Sequence, residues 1–117
     1  MPGEPQDDCL FCKIVEGHIP ATIVRETETT VAFRDINPQA PTHVLVIPKA
    51  HYENAATLAA AEPQLAADVL RETQAVAEQE KLESYRTVFN TGTGAGQTVW
   101  HAHAHVVGGR GLHWPPG

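Results

Sequence analysis

The segment Trp100–Val107, WHAHAHVV, sets three of the chain's seven histidines at every second position, with alanines between them. An imidazole can ligate a metal, donate and accept hydrogen bonds, or attack an electrophile with a free lone pair. In a β-strand, residues i, i+2 and i+4 share a face, so His101, His103 and His105 point the same way, about 6.6 Å apart. Ala102, Ala104 and Val106 fall on the other face, small enough to pack closely under a helix. A single histidine in a strand is ordinarily a satisfied, half-buried polar residue. Three in register are harder to explain that way, because every ring nitrogen needs a partner.

Two chemistries compete for such a row. One is a metal centre gripped by two or more imidazoles. The other is nucleophilic catalysis, in which a neutral imidazole attacks phosphorus while its neighbours donate hydrogen bonds to the phosphoryl oxygens. The residues just upstream favour the second. Gly92, Gly94 and Gly96 free the backbone to approach an anion, and Gln97 and Thr98 add an amide and a hydroxyl. TGTGAG by itself reads as a hairpin loop and does not fit GxGxxG, because position 97 is Gln. Directly before three histidines, it looks like half of a phosphate cradle.

The chain's two cysteines form one CxxC, Cys9-Leu10-Phe11-Cys12. In a reducing compartment that spacing suggests a metal or a redox pair rather than a structural disulfide. A redox pair would follow a strand, and nothing before Cys9 reads as one, so metal is preferred.

These groups need a scaffold to position them. Residues 1–8 read as a loose tail, followed by a short helix over roughly 10–16 that Gly17 stops. Ala21–Glu26 and Thr30–Asp35 are short strands joined by the polar turn 27–29. Pro38 and Pro41 keep 37–41 in a loop. His43–Pro48 is strongly β-branched and reads as a central strand. From Glu62 to Leu82 the period changes to helical, with Leu65, Ala66, Val69, Thr73, Val76 and Ala77 on one stripe and Pro63 in the first turn. Arg86–Asn90 is a strand, 91–97 a flexible loop, and His101–Val107 the last strand. One long helix on hairpin-spaced strands gives an α+β domain with an antiparallel sheet.

The 117 residues suffice for one two-layer core and no second domain. At 42% hydrophobic and 19% charged, the chain reads as an ordinary globule rather than a disordered one. No run is long enough to span a membrane, and the acidic, Pro-containing start lacks a signal peptide's basic and apolar regions, so the expected compartment is the cytoplasm. A net charge of −6 without a Lys/Arg cluster argues against nucleic acid as the main partner.

His101–Val107 resembles the signature of the histidine-triad (HIT) superfamily. DINPQAPTHVLVIPKAH at 35–51, NTGTGAGQTVWHAHAH at 90–105 and GGRGLHWPPG at 108–117 are similar to its Hint branch, the purine nucleoside phosphoramidases. The resemblance runs from about residue 9 to the end. It implies that His103 is a nucleophile that becomes transiently nucleotidylated, that His105 hydrogen-bonds the α-phosphate, and that His43 supports the nucleophile. It implies a leaving-group donor at Thr98, where the branch usually has serine. Asp35 would take the ribose hydroxyls, Ile36 would wall the base pocket, and Asn90, Gly96 and Gln97 would contact ribose and phosphate. Read from the residues alone, Asp35 is equally an Asx-turn acid and His43 a buried structural histidine.

The same comparison implies one structural zinc per chain, held by Cys9, Cys12, His51 and His101, as in some HIT proteins and the related galactose-1-phosphate uridylyltransferases. It also implies a two-fold homodimer with a continuous ten-stranded sheet, in which the tail Leu112–Gly117 reaches the partner's active site. The expected partner is a purine nucleoside monophosphate or phosphoramidate, and the expected reaction is cleavage of its P–N bond. The alternatives are a dinucleoside polyphosphate hydrolase, a nucleotide-binding scaffold with little turnover, and, more distantly, a metalloenzyme built on the histidine row.

Overall fold

A computed structural model describes residues 3–117. Among these residues five strands form one antiparallel sheet: β1 (Ile23–Glu26), β2 (Thr30–Arg34), β3 (Thr42–Pro48), β4 (Tyr85–Val88) and β5 (Ala104–Gly108). Their order is β1-β2-β3-β5-β4, so the last strand of the chain lies inside the sheet. Each expected strand is present with its ends moved by a few residues. The largest change is in β5, which begins at Ala104 rather than at His101. In the β3–β5 register Val46 faces Ala104, so the next pairs would bring in Pro48, which has no N–H to offer. The Pro48 carbonyl is instead taken by the His101 ring at 2.8 Å, and Ala102 N–H donates to Tyr52 O at 2.7 Å.

Strand alternation sorts the sheet into two faces. Ala32, Val44, Val46, Ala104 and Val106 join Leu65, Val69 and Val76 of the long helix α3 (Pro63–Gln79) in one core. Val31, Phe33, Leu45 and Ile47 form the other with Cys9, Phe11 and Cys12, at the start of the short helix α1 (Leu10–Val15). With both faces covered, β3 is buried along its whole length, and its near-continuous apolar sequence follows from that.

Helix α1 stops as expected, with Gly17 at φ +79°. Helix α3 ends at Gln79, short of Leu82. Lys81 turns to φ +59°, and Lys81 N–H→Glu78 O with Leu82 N–H→Ala77 O close the helix end. A second short helix, α2 (Ala55–Ala61), was not foreseen from the sequence. Its one buried residue is Leu58, too little apolar periodicity to read. An Asn54–Thr57 capping box starts it.

Residues 3–8, expected as a loose tail, are tied down. His51 N–H donates to Gly3 O at 3.1 Å, and Gln6 N–H points at Cys12 Sγ at 3.5 Å. Residues 1 and 2 lie outside the described residues.

Candidate functional site

Two groups of side chains meet along the segment 101–105, and one backbone carbonyl separates their roles. The first is Cys9, Cys12, His51 and His101, whose ligand atoms all lie within 4.8 Å of one another. Cys9 caps α1 and Cys12 stands in its first turn, so the CxxC spacing turns both sulfurs to the helix N-terminus. Cys9 Sγ is 3.4 Å from His101 Nδ1, Cys12 Sγ is 3.6 Å from the same atom, and Cys12 Sγ is 3.3 Å from His51 Nδ1. Tetrahedral zinc with bonds of about 2.3 Å to sulfur and about 2.0 Å to nitrogen separates S and N by about 3.5 Å. The donor set and its spacing therefore fit zinc.

The ring of His101 is prepared for such a role. Its Nε2–H donates to Pro48 O at 2.8 Å, which leaves Nδ1 with a lone pair aimed at the sulfurs. Without metal, burial pushes His101 down to about 4 and the Cys12 thiol up to about 11. Zinc binding at neutral pH must then expel a thiol proton, while His101 already offers its neutral form.

The second group is His43, His103 and His105. His103 Nδ1 lies 2.7 Å from the carbonyl oxygen of His101. A carbonyl only accepts, so Nδ1 carries the hydrogen and Nε2 keeps a free lone pair. Burial lowers the His103 pKa, which favours that neutral form. Its ring packs edge-on against Phe11 with centroids 5.1 Å apart, and lies 5.0 Å from the ring of His105.

The tautomer of His105 follows from a chain of bonds that begins in the 37–41 loop. Gln39 N–H donates to His43 Nδ1 at 3.0 Å, so His43 holds its hydrogen on Nε2. That hydrogen points to His105 Nδ1 at 2.9 Å, with Asp35 Oδ2 at 3.4 Å beside it. His105 must then carry its own hydrogen on Nε2. This atom is buried and has no hydrogen-bond partner among the described residues. Burial, with His103 and His43 close by, holds His105 down at about 4, so the ring is neutral near pH 7. A lone pair on His103 and an unengaged N–H on His105 thus belong to rings 5.0 Å apart. That is the pairing an attack on phosphorus requires.

Both rings line a cavity of about 470 Å³. Asp35, Ile36 and Thr98 line it too, and Ile36 stands fully exposed at its edge. Asp35 also closes an Asx turn, accepting from Asn37 N–H at 2.8 Å through Oδ1. The other walls were missed from the sequence. Leu10, Phe11 and Ile14 of α1, with Phe33 and Leu45 of the sheet, give the cavity an apolar slot. Leu10 and Phe11, apolar residues inside the CxxC, are the available signal.

The glycine loop is arranged differently from a phosphate cradle. Gly92 and Gly96 take positive φ around a 3-10 turn at Thr93–Ala95. The N–H groups of Ala95, Gly96 and Gln97 all bond carbonyls within that loop. The Gln97 side chain is buried. Its Oε1 accepts from Gly92 N–H, and its Nε2 donates to Glu53 O and Val99 O. Asn90, Gly96 and Gln97 are not among the cavity's lining residues. Thr98 is, at the loop's far end.

Residues 16–112 match the HIT domain. A HIT-like protein of Synechococcus elongatus is 50% identical over 112 residues, which cover 95% of this chain and 98% of that protein. A 14 kDa zinc-binding protein of Zea mays is 47% identical over 112 residues, covering 92% and 87%. A solved HIT family hydrolase from Legionella pneumophila superposes with a TM-score of 0.90 at 48% identity, covering 94% of this chain and all of that one.

Proposed function

The chain belongs to the HIT domain family, and from that premise we propose that it is a nucleotide hydrolase cleaving the P–N bond of purine nucleoside 5'-phosphoramidates. One observation carries the reading: His101 O fixes the hydrogen of His103 on Nδ1, which leaves a nucleophilic Nε2 beside the unengaged Nε2–H of His105. His103 Nε2 attacks phosphorus, and the N–H of His105 steadies the charge that builds on a phosphoryl oxygen. The P–N bond breaks and the amine leaves with a proton, near the hydroxyl of Thr98. Water then cleaves nucleotidyl-His103, releasing the nucleoside monophosphate and restoring the lone pair. Asp35 accepts the ribose hydroxyls, and the slot of Phe11, Phe33, Ile36 and Leu45 takes the flat base. The hydrolase named among the solved neighbours supports this assignment.

Cys9, Cys12, His51 and His101 would hold one zinc ion in a closed four-ligand site, and the zinc-binding name of the maize relative supports that reading. Zinc there contributes folding free energy and leaves no position open for substrate. The reading also includes a two-fold dimer: Trp114 is 83% exposed on the tail, and a large aromatic ring in that position is suited to burial against a second copy. Sedimentation at micromolar concentration checks the pairing, and a monomer there removes it.

The deciding experiment supplies an adenosine 5'-phosphoramidate and follows AMP release, with rapid acid quench and mass spectrometry to catch the nucleotidyl-enzyme on the His103 peptide. Absence of both AMP and adduct from zinc-loaded protein would refute the hydrolase reading.

A further inference from the structure

β5 ends at Gly108, and the chain turns at once towards the loop that carries Gln39. Gly109 makes this turn at φ +88°, where a Cβ would sit 3.0 Å from the Pro41 side chain. The turn is therefore pressed against the 37–41 loop, at a position where any side chain would be strained and crowded. Next along, Arg110 donates from Nε to Gln39 O at 2.9 Å and from Nη1 to Gly111 O at 2.8 Å. One guanidinium thus ties the loop to the end of the catalytic strand.

Gln39 is also the residue whose N–H fixes the tautomer of His43. Its remaining bond, from its side-chain amide to Asn37 O, stays within the same exposed loop. Apart from that bond to His43 itself, Arg110 is therefore the side chain that ties Gln39 to the end of the sheet. We infer that Arg110 is a positioning residue for the triad: it holds Gln39 so that its N–H meets His43 Nδ1, which sets His43 Nε2–H onto His105 Nδ1 and leaves the His105 hydrogen on Nε2, facing the phosphoryl group.

Arg110 is absent from the cavity wall and touches no reacting atom. It acts through three successive hydrogen bonds and no new chemistry. Lysine would not replace it, because the two carbonyls are met by two N–H groups of one planar fork. Without the tie, Gln39 N–H turns to water, His43 can place its hydrogen on either nitrogen, and His105 loses its fixed donor.

The inference rests on the proposed hydrolase reading for its kinetic effect but not for its spectroscopic one. Long-range imidazole ¹H–¹⁵N spectra of the zinc-loaded protein report the tautomers directly. Wild type should show His43 and His105 both protonated at Nε2. Arg110→Ala should shift both towards mixed tautomers, while Arg25→Ala, which breaks the remote pair with Glu72, should not. With adenosine phosphoramidate, Arg110→Ala should lower kcat about tenfold with KM nearly unchanged, a fraction of what a positioned proton donor contributes. Should Arg110→Ala fail to fold, Arg110→Lys is read in the same way. Wild-type imidazole signals and wild-type kcat in a folded Arg110 variant would overturn the inference. A tautomer shift in a protein with no measurable hydrolysis would uphold Arg110 and overturn the hydrolase reading instead.

Discussion

The metal set and the nucleophilic set draw on the same run of alternating histidines, yet they ask opposite things of their rings. His101 gives its Nε2–H to Pro48 O and turns Nδ1 inward to two sulfurs. His103, two residues on and on the wall of the cavity, gives its Nδ1–H to His101 O and keeps the lone pair of Nε2. Nothing in the side chains distinguishes them. Which backbone carbonyl captures which nitrogen decides which ring atom is left free, as the proposed ligand and nucleophile roles need. Imidazole function here is assigned by the main chain.

The largest effect should separate the two centres outright. His103→Ala removes the nucleophile and should lower turnover by at least about a thousandfold, given what nucleophile and base groups contribute in comparable enzymes. Metal analysis of the same variant should still find one zinc per chain, because the His101 ring keeps its contacts with Pro48 O and the two sulfurs. A variant that hydrolyses normally, or that loses zinc together with activity, would break the distinction.

A smaller effect is expected from the opposite change. Cys9→Ser with Cys12→Ser should abolish zinc binding and lower stability by several kcal/mol, since ligand free energy is folding free energy at such sites. The catalytic groups remain, so residual turnover should persist at low temperature. Its KM should rise, because Leu10, Phe11 and Ile14 lie on the helix that the metal pins and also wall the cavity. Thermal melts with zinc assay, then steady-state kinetics, test both halves. An unchanged melt would show that the CxxC holds nothing.

The smallest effect distinguishes the centres by acid. His105 is held at about 4 in the folded protein against an ordinary 6.5. The unfolded chain therefore binds a proton here before the native one does, and stability falls as pH drops from about 6.5 towards 4. Urea midpoints measured across that window at constant zinc should decline less steeply in His105→Asn than in wild type. Equal slopes would mean that His105 does not resist protonation.

Much of this was legible beforehand, because the features are periodic. Alternation in 101–107 placed histidines and alanines on opposite faces: Ala102, Ala104 and Val106 lie in the core under α3, while His101 and His103 pack against Phe11. The stripe of α3 predicted the buried Leu65, Val69, Thr73, Val76 and Ala77. What escaped depends on contacts distant in sequence. Gln97 reads as a phosphate donor until its amide is seen bonded to Glu53 O, 44 residues away. Phe11 reads only as part of a short helix until the fold brings it against His103 and Phe33. The late start of β5 reflects Pro48, whose effect appears only once the register is known.

The inner position of β5 bears on how the protein is made. His43 and His105 are 62 residues apart in the chain. A ribosome adding about 5–20 residues per second takes several seconds to bridge that interval. Through that time the nascent chain holds β3 with one side unpaired, a strand of apolar residues and open backbone groups that other chains can join. The loop to be closed is long, but its entropic cost grows only with the logarithm of its length. Helices α2 and α3 are emitted in the interval, so α3, which packs on one face of β3 in the folded protein, is available before the neighbouring strand arrives. Until the last strand slots in, the cell holds neither a metal site nor an enzyme, only an exposed edge.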